Sequence, residues 1–403
     1  MKLKLLLLLV VSLSFFTSCE KEHDKDNDEI ITLNIGGLYS ITGNWSSLGI
    51  TSQAAMNLAL IDVNEYLEQR GSLYRLSTSV YDTQLDTASA KSAIQLAKNK
   101  GVRFVIGPQS SAECGTVRQF ANDNNMLVIS QGSTASSLAI ADDALFRFCP
   151  GDGPEGQAMS RTMYVQGKEM VITLARNDAG NLGLQTSVNA AFVAEGGQVD
   201  ALAPYAVTTT NFTSVIQQLR SKVQQYSTTY GVDQVAVYLA SFDECVDLFR
   251  QAANDTVLTS VNWYGGDGVV QSAALLNDID ARNFAVATSF FAPNFGLPDV
   301  AHPRLDDVAA SIYNSTGIQP DAYALSVYDA MWVIARTVSS YPGVLSDFTQ
   351  LKADFTQEAN QYFGITGPVI LNTNGDRAVG SFDYWGIVDN GGTYSWQVVG
   401  KSN

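Results

Sequence analysis

The strongest constraint on the fold is a regular alternation of strand-like and helical patterns that begins at Ile30. Runs rich in β-branched residues predict strands, and small or apolar residues at three- and four-residue spacing predict helices. Strict alternation of the two is typical of βαβ units and therefore of parallel sheets. The predicted strands are 31–40, 73–82, 103–107, 126–130, 169–176, 233–240 and 284–291, and the predicted helices between them include 50–69, 87–100 and 112–124.

A segment rich in Gly and Pro, 144–163, interrupts this alternation before a second series begins. Such a break between two βα runs indicates a crossover between two lobes. Beyond residue 268 the pattern changes to long helices, notably 323–339, and then to a closing hairpin. The segment 372–376 is similar to half of a calcium loop but lacks the distant glutamate, so it predicts an Asn-Gly hairpin turn.

The composition predicts a globular chain and excludes some partners. With 403 residues, 46% of them hydrophobic and 16% charged, the chain can bury a large core. The formal net charge of −16 and the pI near 4.4 argue against binding to nucleic acid or to an anionic membrane surface, because both need a basic surface.

The N-terminus has the organisation of a bacterial export signal. A short basic start precedes an apolar stretch that is shorter than the roughly 20 residues needed to span a bilayer. The segment 16–19 resembles the lipobox of bacterial lipoproteins, so we expect a signal peptide at 1–18 and a lipid on Cys19. Ordinary signal cleavage beside an incidental cysteine is the alternative. Residues 19–30 are predicted to form an acidic tether. The tether also resembles the surface-export signals of some Bacteroidota lipoproteins. The expected location is a bacterial cell envelope, either in the periplasm or on the outer-membrane surface.

The chain lacks the residues that common enzyme sites need. Its two histidines are His23, in the tether, and His302, beside a proline, so neither a Ser-His-Asp site nor a zinc site is indicated. The glycines at 180–183 have the wrong spacing for a dinucleotide fingerprint, and no Walker lysine loop exists. We therefore expect no enzyme, no cofactor and no metal. The remaining cysteines, Cys114, Cys149 and Cys245, allow either a Cys114–Cys149 disulfide or three free buried thiols.

Two strand-to-helix turns carry hydroxyl side chains. FVIGPQSSAECGTV spans residues 104–117, and VISQGST spans 128–134 at the end of the next predicted strand. Free NH groups at a helix start, together with hydroxyls, favour a bound anion. With no Walker lysine and no basic cluster, a carboxylate is a better candidate than a phosphate. Ser110 is the better candidate for a helix cap, and Ser111 for a ligand contact.

From about Thr32 to the end, the chain resembles the type I periplasmic solute-binding proteins of the branched-chain amino acid receptor family, which serve ABC importers. Each motif alone is weak, and their order and spacing carry the resemblance. The motifs are IGGLYSITG at 35–43, VIGPQSS at 105–111, VISQGST at 128–134, FRFCP at 146–150, YALSVYDA at 323–330, Thr366-Gly367 and NGDR at 374–377.

The resemblance implies an α/β fold with two doubly wound parallel-sheet lobes, joined by a three-segment hinge that closes on a ligand in the cleft. The implied N-terminal lobe is 31–148 with 269–380, and the implied C-terminal lobe is 149–268 with 381–403. Residues aligned with Ser111, Gly132, Ser133 and Thr134 hold the ligand α-carboxylate in amino-acid-binding members and help to hold the amino group.

An ammonium group needs an acid from the second lobe. Alignment with the family places Glu244 near the amino-binding acid, with Asp243 and Asp267 as competing candidates. Leu48 and Leu182 stand where members often have aromatic residues that wall the ligand. Trp45 either replaces that wall or packs on its own loop.

We therefore expect a lipid-anchored receptor without enzymatic activity. It binds a small polar solute, an amino acid or a related carboxylate, for ABC permease subunits. The alternative is a ligand-sensing module for a signalling partner, and a hydrolase on the same scaffold is a third interpretation.

Overall fold

The computed structural model describes residues 29–298, 303–345, 347–378 and 380–402. The predicted signal peptide, Cys19, most of the acidic tether and both histidines lie outside these ranges. None of the helices in these ranges combines the length and the hydropathy of a membrane span.

The strands and helices follow the predicted alternation. The strands are β1 Ile31–Tyr39, β2 Tyr74–Asp82, β3 Phe104–Ile106, β4 Leu127–Ser130, β5 Leu145–Arg147, β6 Met170–Ala175, β7 Gln198–Ala201, β8 Val235–Ala240, β9 Asn262–Gly265, β10 Phe291–Phe295, β11 Phe363–Gly364, β12 Gly367–Pro368, β13 Phe382–Asp389 and β14 Tyr394–Lys401. The helices are α1 Ser46–Gln69, α2 Thr87–Asn99, α3 Ser111–Asp123, α4 Asp152–Val165, α5 Ala179–Ala194, α6 Thr213–Tyr230, α7 Cys245–Ala252, α8 Ala273–Asn277, α9 Ile279–Ala287, α10 Leu305–Thr316, α11 Ala322–Ser339 and α12 Phe348–Gln361.

Two sheets form the centres of two lobes, which confirms the predicted fold class. The first sheet is parallel, with the strand order β2-β1-β3-β4-β5. The second has the order β14-β13-β10-β9-β8-β6-β7, with antiparallel pairing only where β13 meets β10 and β14 among the described strands. In such sheets ligands bind where the strand order reverses, at the carboxyl ends of the strands. That point lies between β1 and β3 in the first sheet, and between β6 and β8 in the second.

Each lobe has its own apolar core. The first core forms where α1, α10, α11 and α12 cover one face of the first sheet. Helix α11 is buried along most of its length, which agrees with its apolar residues on nearly every side. The second core lies against β6, β8 and β9 and includes Trp263 and Phe249. The chain passes between the lobes after β5, after β10 and after β12.

The structure corrects the expected strand at 284–291. Helix α9 covers Ile279–Ala287 and is capped by Asp278, whose side chain accepts a hydrogen bond from Ala281 N. Strand β10 begins only at Phe291, after Ser289 turns the chain with a positive φ of 52°. The local cap therefore decides this segment, and its aromatic residues form strand only where β9 and β13 lie beside them.

The same strand changes the expected lobe boundary. Residues 269–380 were expected in the first lobe, but β10 pairs within the second sheet, and Phe284, Phe290 and Ala292 lie in the second core. The chain therefore returns to the first lobe only after β10. The short strands β5, β7 and β9 were not predicted either.

The structure also tests the predictions for the cysteines and for the Asn-Gly segment. Cys114, Cys149 and Cys245 are all free and buried, so the disulfide alternative is wrong.

The turn at 372–376 is closed by a hydrogen bond from Asn372 N to Asp376 O of 2.8 Å, and Gly375 has a positive φ of 76°. This confirms the predicted hairpin turn.

A buried ion pair joins that turn to the end of β5. Arg147 is 1% exposed, and its Nε and Nη2 atoms donate to the Asp376 carboxylate at 2.5 and 2.7 Å. Its Nη1 atom donates to the carbonyl oxygens of Ser133 and Ala135 at 3.2 and 2.7 Å. Arg147 therefore holds three separate segments of the first lobe together.

Asp376→Asn should lower the free energy of unfolding by about 3–5 kcal/mol, because it leaves the buried Arg147 guanidinium without its counter-charge. Urea denaturation measures the change. The exposed acid Asp307, on α10, gives a control in Asp307→Asn, for which we expect a change within about 0.5 kcal/mol. Equal stability of the two variants would contradict the importance of the pair.

Candidate ligand-binding site

A buried cleft lies where the two strand-order reversals face each other. Its free volume is about 10 Å³, close to the space that one water molecule needs, so the lobes are closed. The first lobe contributes Trp45, Ser110, Ser111, Gly132 and Thr134, and the second contributes Gly180, Asn181, Leu184, Phe242 and Asp267.

Larger grooves lie elsewhere on the surface. One of about 750 Å³ lies beside α12, and one of about 590 Å³ lies against β13 and α9. Each is lined by one lobe alone, without residues from the strand-order reversals. The cleft is therefore the better candidate, since both lobes and both strand-order reversals contribute to it.

The serine pair that follows β3 contains the predicted helix cap at Ser110, and Ser111 lines the cleft beside it. Ser110 caps α3, because its Oγ accepts a hydrogen bond from Glu113 N and the Glu113 carboxylate accepts one from Ser110 N. Ser111 is the first residue of α3, and its Oγ accepts from Ser133 Oγ and from Ala135 N, both at 3.1 Å. Since its oxygen accepts both bonds, the Ser111 hydroxyl hydrogen can be donated to a ligand in the cleft.

The turn after β4 meets the cleft through two of its three candidate residues. Gly132 lines the cleft, and a Cβ there would lie 3.0 Å from both Gln109 O and Trp45 Cη2, so a side chain would crowd both atoms. Thr134 lines it too, near the Asp152 carboxyl, and its hydroxyl lowers the pKa of that carboxyl. Ser133 is fully buried, and its hydroxyl faces Ser111 instead of the cavity.

Trp45 forms an aromatic wall of the cleft with Phe242. Their ring centroids are 4.6 Å apart with an angle of 31° between the planes. Trp45 has a left-handed backbone, with φ of 56°, that is held on both sides. Its N–H donates to Asp243 Oδ2 at 2.8 Å, and its carbonyl accepts from Gln109 Nε2 at 2.9 Å. Of the two roles considered for Trp45, the wall is the one that the geometry supports.

The two leucines expected at the wall lie elsewhere. Leu48 is buried in a third apolar core, which combines residues of both lobes and also holds Trp45, and it does not line the cleft. Leu182 packs partly buried against the same core and does not line the cleft, whereas Leu184, two residues on, does. The sequence interpretation missed Leu184, Asn181 and Phe242. Asn181 and Leu184 lie in the first turns of α5, the helix after β6, and Phe242 follows β8. Their position at the reversal of the strand order is the signal that indicates them.

Asp243 and Glu244 are occupied by protein groups outside the cavity. Asp243 accepts from Trp45 N and, at 2.5 Å, from Ser272 Oγ. Glu244 accepts from Tyr205 Oη at 2.6 Å and from Asn44 Nδ2 at 3.1 Å. Since Asn44 and Trp45 belong to the first lobe, both acids connect the lobes. Helix α1 has no side-chain cap of its own lobe, so Asp243 serves its N-terminus from across the cleft.

Asp267 is the candidate acid that faces the cavity. It is 4% exposed, and its Oδ2 accepts a hydrogen bond from Tyr323 Oη at 2.6 Å. Burial is the largest influence on this carboxyl and raises its pKa to about 7, against the hydrogen bond from Tyr323, which lowers it. A cationic group in the cleft would favour the ionised form. In the described ranges, no group of His, Cys, Asp and Glu has the arrangement of a metal site.

Asp243→Ala should favour the open arrangement of the lobes, because closure then leaves the N-terminus of α1 without its acceptor. Small-angle scattering of the ligand-free protein should show a larger radius of gyration, and the free energy of unfolding should fall by about 1–2 kcal/mol. The control is Asp247→Ala, which removes a half-buried acid of α7 that pairs with Arg250 and should leave the radius unchanged. An unchanged radius in both variants would show that Asp243 does not hold the lobes together.

Comparison with known proteins agrees with this architecture. A family model described as the receptor family ligand binding region matches residues 51–390. An uncharacterized protein of Methanocaldococcus jannaschii is 26% identical over 402 residues, which cover 95% of this chain and 92% of that protein.

Two solved structures show the same fold at low sequence identity. A branched-chain amino acid transporter substrate binding protein from Streptococcus pneumoniae, in complex with isoleucine, has a TM-score of 0.72 and 17% identity, and the match covers 92% of this chain and 99% of that one. A solute binding protein from R. palustris, in complex with 4-hydroxybenzoate, has a TM-score of 0.73 and 13% identity, covering 92% and 97%. The fold is thus that of type I periplasmic binding proteins. The chain belongs to the protein family that is described as the receptor family ligand binding region.

Proposed function

We propose that this protein is a solute-binding receptor without enzymatic activity that closes on a small amino acid or related carboxylate for an ABC importer. The observation that carries the proposal is the division of polar groups across one buried cleft. Hydroxyls and a helix N-terminus come from the first lobe, and the Asp267 carboxyl comes from the second.

The first lobe supplies the carboxylate end of the proposed ligand site. Ser111 begins a helix of 13 residues, so free backbone NH groups and the positive end of the helix dipole lie beside its hydroxyl. Thr134 supplies a second hydroxyl at the end of the neighbouring strand. No Lys or Arg is among the described residues that line the cleft, so a carboxylate would be held by dipoles and hydroxyls.

The second lobe supplies the cation end and the apolar wall. A protonated amino group beside Asp267 would offset the cost of burying that carboxylate. Trp45, Phe242 and Leu184 leave little room, which favours a ligand with a short or flat apolar part. The ligands of the two structural neighbours, isoleucine and 4-hydroxybenzoate, both carry a carboxylate.

The proposed site of action is the bacterial cell envelope. Cys19 would carry the lipid that anchors the chain, and the acidic segment after it would act as a spacer. Incorporation of labelled palmitate that is lost in Cys19→Ala tests this anchor.

A thermal-shift screen with paired ligands tests the proposed function. Binding to the folded form stabilises it by RT ln(1 + [L]/Kd), which is about 2.7 kcal/mol at a ligand concentration of 100 Kd. L-alanine should be compared with propionate, and L-isoleucine with 3-methylpentanoate, so that each pair differs by the ammonium group. We expect stabilisation by an amino acid and a weaker effect of its partner. No shift with amino acids, carboxylates, amides or sugars at millimolar concentration would refute the proposal.

Ser111→Ala and Thr134→Ala should each weaken binding of the stabilising compound by about 1–3 kcal/mol, because each removes a donor to the carboxylate. Isothermal titration calorimetry gives the affinities. Ser110→Ala is the matched control. Ser110 also lines the cleft, but its hydroxyl donates to the Glu113 carboxylate and accepts from Glu113 N, so its loss should lower the melting temperature with little change in affinity. The opposite pattern would show that Ser111 is the structural residue.

A further inference from the structure

A second carboxyl lies directly behind Asp267. Glu155, in the first turn of α4, is 1% exposed, and its Oε1 accepts a hydrogen bond from Asp267 N at 3.3 Å. Its other oxygen, Oε2, has no hydrogen-bond partner in the part of the chain that the structure describes. Two acids from different segments therefore meet at the cation end of the cleft.

The surroundings of this pair hold more acids and hydroxyls than cations. Asp152 lies one turn earlier on α4, and Asp321 caps α11. Tyr323 donates to Asp267, whereas the Tyr238 hydroxyl, on β8, is fully buried and has no partner within the described ranges. That hydroxyl lies 3.3 Å from the position of a Cβ on Gly266, the residue before Asp267.

Arg147 is the cation that acts on this group, but its donors already bind other groups of the protein. It favours the ionised form of Asp152, but its guanidinium donates to Asp376 and to two carbonyl oxygens. Four buried carboxyls consequently share a region with no counter-charge of their own among the described residues. Ionising all of them without a cation would be very costly.

Proton binding is the way in which such a group lowers its charge. Burial is the main cause that raises the pKa of Asp152 to about 6 and those of Asp267 and Asp321 to about 7. Burial, followed by the charge of Asp267, raises the pKa of Glu155 well above its usual value. At neutral pH the ligand-free closed cleft therefore favours a proton on Glu155 and, in part, on Asp267 and Asp321, whereas Asp152, with a pKa of about 6, is mostly ionised.

We propose that Glu155 is a positioning residue that keeps a proton on the Glu155–Asp267 pair, and that the ammonium group of the ligand replaces this proton on binding. The carboxyl O–H bond breaks, the proton passes to the buffer, and N–H donors of the ammonium bond to the carboxylate that remains. This inference rests on the proposed function. Because protons are released, affinity for an amino acid should increase with pH across neutrality.

Calorimetry in two buffers counts the protons. L-alanine, or the amino acid that gives the largest thermal shift, is titrated at pH 7 in phosphate and in Tris, whose ionisation enthalpies differ. We expect release of about one proton and a Kd that falls up to about tenfold per pH unit. In Glu155→Gln the amide oxygen can still accept from Asp267 N, while the second acid is gone. The proton release should then be smaller, because only Asp267 still exchanges a proton for the ammonium group, and Kd should depend less on pH between 6 and 8.

Asp143→Asn is the matched control for this titration. Asp143 is a buried acid whose pKa is also raised, mainly by burial, but it lies in the first lobe beside Arg118, outside the cleft. The control should keep the proton release of the natural protein. Binding without proton release, or with the same release in Glu155→Gln, would overturn the inference while leaving the proposed function intact.

Urea denaturation without ligand tests separately whether Glu155 holds a proton in the ligand-free protein. A carboxyl whose pKa is raised in the folded state stabilises the fold while it is protonated, and this contribution is lost as pH rises toward the raised value. The urea midpoint of the natural protein should therefore fall between pH 5.5 and 8, and it should fall less in Glu155→Gln. Identical pH dependence in both proteins would exclude a proton held by Glu155. Failure of every amino acid to bind would instead refute the proposed function.

Discussion

The buried Arg147–Asp376 ion pair is the interaction on which the arrangement of the site depends. A guanidinium that is 1% exposed must satisfy its donors inside the protein, and here it binds a carboxylate and two backbone carbonyls. The carbonyls belong to Ser133 and Ala135, which flank Thr134 in the turn that lines the cleft. The pair therefore fixes the turn after β4 relative to β5 and to the Asn-Gly hairpin, and it lies next to the first crossing between the lobes.

The two lobes contribute different chemistry to the cleft because their reversals of strand order face each other. The first lobe presents NH groups and hydroxyls at a helix start, and the second presents an acid. Trp45 takes part both in lining the cleft and in joining the lobes. Its ring walls the cleft, its N–H binds Asp243 of the other lobe, and its carbonyl accepts from Gln109. Contacts that close the lobes and contacts that line the cavity are thus coupled at this position.

The buried acids allow the cleft to bind either a proton or a cation. Asp267 faces the cavity, and Glu155 supports it from α4. A buried carboxyl can be neutralised by a proton or by a cation, and the two compete for the same oxygen atoms. Closure and proton binding therefore act on the same groups, since it is the closed arrangement that excludes water from them.

The sequence by itself determined the fold class, because the alternation of strand and helix patterns reflects local hydrophobic periodicity. It also determined the Ser110 cap and the Asn-Gly turn, which depend on residues close together in the chain. Only the tertiary structure decided that Asp267 faces the cleft whereas Asp243 and Glu244 join the lobes, and that β10 belongs to the second sheet. These outcomes depend on partners that are distant in sequence, so residue spacing and local propensity carry no information about them.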